Sequence, residues 1–451
     1  MVDLVIRGGR VVDPSSRTSS SADLYIQNGK IAGLGGEPRP ARRVLNAEGL
    51  VVSPGFIDPH THVDREADEN TARCAYLSLA QGVTSIISGN CGGGRMDLDR
   101  FYAEIDAGFP LNQAELFGHN ALRRHLQIDD IFAPATPAQI KEMERLCAEA
   151  MQKGVFGVSF GLGYVPGTSW DEVLALSSIA KRHGRVVAVD TYMDDNYDLE
   201  NLRQLIGLSR QLKVRVQISH FVYQYGQGVI EEALALMDEA RAEGVDIWAD
   251  SGLYVDWASG ISSECFRESY VYSEGFRLSD FLVATGEHAG KRLDDALYRH
   301  LRGTKARESV ICKTGFEASL LPPFTREYVM PSSDTAPYAP GQGHPQVAGS
   351  FAGFFRLVRQ SGILPLEEAV YRATLLPART FGLPGKGSFA VGADADIAVF
   401  DYGAIEDCAR YPDEGAPDAP AKGVRHVLIG GEFAVEDGKP MNLTLGRSIR
   451  A

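Results

Sequence analysis

The sequence predicts an α/β protein, and three observations carry that prediction. In the middle of the chain, short apolar runs alternate with helical stretches. Both ends instead carry β-rich runs broken by tight-turn signals. The histidines, cysteine and aspartate that could do chemistry fall just past the predicted central strands. Strand–helix alternation of this length implies a parallel sheet, and the number of units favours a closed (β/α)8 TIM-like barrel. A small β-sandwich domain built from both termini is expected beside it.

At the N-terminus, Leu24–Gln27 and Lys30–Leu34 flank Asn28-Gly29, a strong hairpin signal. The C-terminus repeats the style in residues 392–401 and 423–440, with the turn pair Gly430-Gly431. Central strands are expected in residues 82–88, 154–160, 185–193, 214–220 and 245–250, with helices such as 137–154 and 229–244 between them. The latter helix places Ile230, Ala233, Leu234, Met237 and Ala240 on one face at helical spacing. The expected division is 1–53 and 385–451 for the sandwich and 54–384 for the barrel. Residues 255–330 break the rhythm and read as an insertion or lid. No repeat and no long low-complexity run is visible.

Composition narrows the function classes. The chain has 451 residues, 44% of them hydrophobic and 23% charged, enough for a sizeable core. Its formal net charge of −14 argues against nucleic acid or an anionic membrane as the main partner, since both recruit basic patches. No run approaches the ~20 apolar residues of a membrane helix, and the N-terminus has no signal-peptide pattern. Six scattered cysteines without paired spacing read as reduced thiols in a cytoplasmic protein. The acidic balance does not identify a substrate; a small-molecule substrate is the expected partner, and oligomeric state is left open.

The central motif is Pro54-Gly55-Phe56-Ile57-Asp58-Pro59-His60-Thr61-His62-Val63-Asp64. An extended His-x-His puts both imidazoles on one side of the chain, where they can share a metal ion. The alternative is two unrelated loop histidines; the apolar strand and Pro-Gly turn before them favour the metal. Cys91, in Ser88–Gly94, lies past another strand, where a thiolate could bind or bridge zinc, although most free cysteines are simply small buried groups. His220 ends a third strand, and Asp334 follows Tyr328–Met330. An aspartate there could act as general base, although a lone Ser-Asp pair is more often a turn or cap. The weight comes from the set.

The order GFIDPHTHVD, GNCG, GVFGVSFGLGYVPG, ISH and SSD resembles the amidohydrolase superfamily, and more narrowly the N-acyl-D-amino-acid deacylases, or D-aminoacylases. The C-terminal runs GHPQVAGSFAGFFRLVRQ and LPLEEAVYRATLLPARTFGLPGKGSFAVGADADIAVFD carry the same likeness, which is weakest over 255–330. The resemblance implies His60 and His62 as strand-one metal ligands, Cys91 as the zinc-binding cysteine and His220 as the strand-six ligand. It implies Asp334 as the water-activating aspartate and Tyr164 as a contact to the substrate carboxylate. One or two zinc ions, or another divalent metal, are expected. His119 is expected to help orient substrate, its alternative being a hydrogen-bonded structural histidine.

The departures concern recognition. Relatives carry His-x-Arg on strand five, where this chain has Tyr192 and Asp194. Relatives carry His-Pro-Arg past strand eight, where this chain reads His344-Pro345-Gln346. Asp190, Tyr192 and Asp194 would share one strand face, so an acidic ligand could replace the missing imidazole. Losing two arginines weakens the hold on a free carboxylate, because Arg supplies its bidentate partner. Lys313, Arg326 or another base from the insertion could compensate. The expected function is hydrolysis of a C–N bond in an amide, or in a cyclic amide or ureide, with altered carboxylate recognition. The alternative is a barrel that has lost a full ligand set and binds a ligand or does other chemistry.

Overall fold

Residues 1–64, 68–192, 199–273 and 275–451 are described by a computed structural model. Eight parallel strands form the central barrel: β1 (Phe56–Asp58), β2 (Val83–Ser88), β3 (Asn112–Glu115, resuming after Leu116 at Phe117–Gly118), β4 (Gly157–Gly161), β5 (Val186–Asp190), β6 (Val216–Ile218), β7 (Ile247–Ser251) and β8 (Val329–Pro331). The first part of β3 pairs with β2 and the second with β4. The ring closes between β8 and β1 just past their ends. There Thr61 bridges Thr335 in parallel, the Asp334 N–H donates to the His60 carbonyl at 2.9 Å, and the His62 N–H donates to the Thr335 carbonyl at 2.7 Å. Nearly every barrel-strand residue is buried, which is why the strands read as continuous apolar runs rather than alternating ones.

The helices follow their local signals. Pro137–Gln152 starts on a capping box between Thr136 and Gln139, with Pro137 in the first turn, where its missing N–H costs nothing. Ile230–Ala242 buries Ile230, Ala233, Leu234, Met237 and Ala240, the face its spacing implied. Among the described residues, no helix is long and apolar enough to cross a membrane. All six cysteines are free.

Both ends of the chain build the second unit. Its four-stranded sheet runs Lys30–Leu34, Leu24–Gln27, Val2–Arg7, Ala41–Asn46. Its seven-stranded sheet joins Val51–Pro54, Arg10–Asp13 and Thr18–Ser21 to Ile397–Phe400, Val424–Ile429, Glu432–Glu436 and Lys439–Pro440. Leu4, Ile6, Leu24, Ile26 and Val52 share one core with Ile397, Val399 and Leu428. The two hairpin turns meet: a Cβ on Gly29 would stand 2.9 Å from the Gly430 carbonyl oxygen. Gly29 and Gly431, with φ of 72° and 77°, therefore answer to backbone conformation and close approach together.

Within the break in rhythm at 255–330, residues 257–312 hold a separate sheet, while Val329 and Met330 already belong to β8. Trp257–Gly260, Phe281–Val283 and Ser309–Cys312 form an antiparallel sheet with its own core, including Phe266, Phe281, Tyr298 and Val310.

A buried ion-pair node ties the outer helices to β3. The Glu172 carboxylate accepts from Arg123 at 2.8 Å and from the N–H of Ala135 and of Ser169 at 3.0 Å each, and lies 2.9 Å from His119 Nε2. Burial pushes the Glu172 carboxyl up, but His119 and the two backbone donors outweigh it and hold it well below its usual 4.5. A depressed carboxylate stabilises the fold above 4.5 and loses that contribution as the pH falls below it. Glu172→Gln is expected to lower unfolding free energy by about 3–5 kcal/mol at neutral pH, as when one partner of a buried pair is removed. The deficit should shrink in acid. Urea unfolding followed by circular dichroism measures both, and a neutral-pH loss below ~1 kcal/mol, the scale of an exposed pair, would contradict the assignment.

Candidate active site

The five side chains singled out at the strand ends meet at one end of the barrel. His60 Nε2 lies 3.3 Å from Cys91 Sγ and 3.5 Å from Asp334 Oδ1. Cys91 Sγ lies 3.5 Å from His220 Nε2, and His62 Nε2 lies 3.1 Å from Asp334 Oδ1. Two potential ligand groups result, His60–Cys91–His220 and His60–His62–Asp334, each with its ligand atoms within 4.8 Å of one another. Nitrogen and sulfur ligands about 2.0–2.3 Å from one tetrahedral ion stand about 3.3–3.6 Å apart, so this donor set fits a zinc-like metal.

Local backbone explains the convergence. β1 ends at Asp58 and the chain bends at Pro59, but the Thr61–Thr335 bridge holds this stretch against the end of β8, so both His60 and His62 reach Asp334. Cys91, His220 and Asp334 have φ of 50°, 33° and 53°, left-handed values that non-glycine residues rarely adopt, at about 1–3 kcal/mol each. All three lie two or three residues past a strand end, where the chain turns over the barrel mouth.

Two supporting carboxylates were not singled out from the sequence. Asp250, fully buried at the end of β7, faces His60 Nδ1 at 3.4 Å and accepts from the His220 N–H at 3.0 Å and Ser332 Oγ at 2.5 Å. Gln217 Nε2 also donates to it. Asp58 accepts from the N–H groups of His60, at 3.2 Å, and Ser333, at 3.1 Å, and burial pushes its carboxyl up to about 7. The available signal was the one used for the others, a polar residue closing a predicted strand.

The electrostatics are one-sided. Among the described residues, Asp190, Asp250 and Asp334 have no Lys or Arg ion-pair partner; their charged neighbours are the histidines. Burial pushes the Asp334 carboxyl up, but the His62 hydrogen bond and the charges of His220, His60 and His62 outweigh it and hold it well below the usual range. Burial pushes the Cys91 thiol far up, and the nearby Asp190 and Asp334 push it further.

A cavity of about 610 Å3 opens on this cluster. Tyr164 lines it and accepts from Ser259 Oγ of the inserted sheet at 3.2 Å. Tyr192 lines it too, 37% exposed. β5 stops at Asp190, so strand alternation does not carry Tyr192 onto the Asp190 face; Asp194 lies outside the described residues. Gln346 reaches the cavity wall, donating to the Asp334 carbonyl and accepting from Tyr223 OH at 2.9 Å. His119 corrects an expectation: it is fully buried against Glu172 and Asn120, and Asn120 lines the cavity in its place. Lys313 pairs with Glu414 at 2.5 Å and Arg326 with Asp238 at 3.0 Å, and neither lines the cavity. Arg124, Arg267 and Arg307 do.

Comparison with known proteins agrees with this geometry. Residues 43–259 and 328–435 match the family model described as the amidohydrolase family, the gap falling on the inserted sheet. The N-acyl-D-glutamate deacylase of Alcaligenes xylosoxydans xylosoxydans is 30% identical over all of this chain and 96% of its own length. The D-aminoacylase of the same organism is 29% identical over 95% and 93%. Among solved structures, N-acyl-D-glutamate deacylase from Bordetella bronchiseptica, complexed with zinc and a phosphonate inhibitor, superposes over the whole of both chains with a TM-score of 0.87 at 26% identity. A D-aminoacylase structure described for its binuclear metal center gives 0.88 at 27%, again over the whole of both chains. With the family model matching well over half of its residues and a 30% identical relative aligned over its whole length, this chain belongs to the amidohydrolase family.

Proposed function

We propose that the protein is a metal-dependent amidohydrolase that cleaves an amide-type C–N bond in a small molecule, resembling a D-aminoacylase but with altered carboxylate recognition. The observation that carries this reading is the convergence of His60, His62, Cys91, His220 and Asp334 beneath one cavity. The relatives, named N-acyl-D-glutamate deacylase and D-aminoacylase, support the reaction class. The competing reading, a barrel without a ligand set, has no counterpart in a site that gathers five ligand-type side chains.

His60, His62, Cys91, His220 and Asp334 would hold one or two zinc ions or a similar divalent metal. Such an ion acidifies water and polarises the amide carbonyl. Asp334 is kept ionised by its histidine neighbours, so it can accept the proton of the attacking water and return it to the departing nitrogen. Asp250 fixes the orientation of His60 through Nδ1, leaving Nε2 toward Cys91 and Asp334. Tyr164 offers a phenol to the substrate, and burial keeps it protonated. Gln346 and Tyr223 present neutral groups, so the substrate part beside them is a weak, masked or absent carboxylate. Arg124, Arg267 and Arg307 offer positive charge elsewhere on the wall.

Purified protein is expected to carry about one to two zinc ions per chain, and chelation should remove metal and amidase activity together. Metal-free protein with full activity would refute the reading. Asp334→Asn keeps the size of the side chain and removes the base; it should retain fold and metal while kcat falls about 10²- to 10⁴-fold. Near-normal turnover would take the base role away from Asp334. On a panel of N-acyl-D-amino acids and their amides and esters, the free acids should be the poorer substrates. Gln346→Arg should raise kcat/KM for the free acids about ten- to a hundredfold, the scale of one charge-assisted contact. Rapid, selective turnover of free acids by the unaltered protein would show the carboxylate reading to be wrong.

A further inference from the structure

We infer that Asp190 is a metal ligand, completing with Cys91 and His220 a subsite beside the His60–His62–Asp334 group. This rests on the metal-dependent reading above and deepens it. Asp190 closes β5 and is 4% exposed. Its Oδ2 lies 3.8 Å from His220 Nε2, whose ring nitrogen also stands 3.5 Å from Cys91 Sγ. Its other oxygen, Oδ1, accepts from Gln224 Nε2 at 2.5 Å. Oδ1 is thus anchored and Oδ2 left facing an imidazole that also meets the Cys91 thiol, the way an outer amide orients a ligating carboxylate.

Charge balance points the same way. Asp190 and Asp250 are buried and the Asp334 side chain is 11% exposed, all near the Cys91 thiol, and among the described residues no lysine or arginine pairs with any of the three. Buried carboxylates without a cation are costly. Divalent ions supply the missing charge, and a subsite at Asp190 places some of it where no basic side chain reaches. Tyr192, the other described candidate from this segment, is a phenol 37% exposed, and a neutral phenol is a poor donor. A thiolate, an imidazole and a carboxylate make the three-protein-ligand set that leaves a coordination position open. A carboxylate in place of an imidazole also hardens the subsite, favouring Mn2+ and Co2+ more than an all-nitrogen set would.

The test uses metal-free full-length protein titrated with Co2+ and with Zn2+. Bound metal is measured by equilibrium dialysis, and the sulfur-to-cobalt charge-transfer band reports ligation by Cys91. Asp190→Asn should raise the metal dissociation constant at least ~100-fold and weaken that band, with circular dichroism unchanged. Gln224→Ala removes only the anchor and should cost about 10- to 100-fold, so the inference stays open to test even where Asp190→Asn folds poorly. Tyr192→Phe should change nothing. Unaltered binding in Asp190→Asn and Gln224→Ala, alongside impaired binding in His220→Asn, overturns the Asp190 assignment alone. Failure of the unaltered protein to bind either ion overturns the metal reading itself.

Discussion

The site depends on one buried imidazole. His60 is fully enclosed, so both of its nitrogens need partners within the protein or a bound ion. Nδ1 turns to Asp250 at the end of β7; Nε2 turns to Cys91 past β2 and Asp334 past β8. His60 belongs to both potential ligand groups, and Asp250 also holds the His220 backbone. Four separated stretches of chain are thus placed by one ring, and the closure of the barrel between β8 and β1 fixes where that ring stands.

Around it, unfavourable terms gather at one place. Three ligand-type residues adopt left-handed backbone, and three carboxylates share a buried volume without a basic partner. Neither would persist unless the surrounding strands over-determined it, and the charge excess is relieved when a cation occupies the cluster. Strain and charge excess at the same strand ends mark this face of the barrel as functional independently of any likeness to relatives.

The cavity wall is divided between the barrel and the sheet at 257–312. Gln346 and Tyr223 come from the barrel and offer neutral hydrogen-bonding groups. The insertion brings Ser259 against Tyr164 and adds Arg267 and Arg307 to the wall. The family model leaves out 260–327, the stretch that holds Arg267 and Arg307 of the cavity wall.

Much was legible in the sequence because it is local. The Asn28-Gly29 and Gly430-Gly431 turns need positive φ, the 230–240 face repeats with the helix, and buried parallel strands read as apolar runs. The candidate ligands were legible because barrel chemistry sits just past strand ends, a position that strand prediction alone supplies. What lay beyond reach depends on which strand ends meet. Nothing along the chain tells that Asp250 faces His60, 190 residues away, or that Glu172 captures His119 so that Asn120 reaches the cavity instead. The period-two rule placed Tyr192 beside Asp190, but β5 ends at Asp190, and only the folded chain decides where regular alternation stops. Residue type and spacing thus determined the fold class and the chemical kind of the site. Tertiary structure decided the pairings, because hydrogen bonds and charge compensation among buried groups act through space and leave no periodic trace in the sequence.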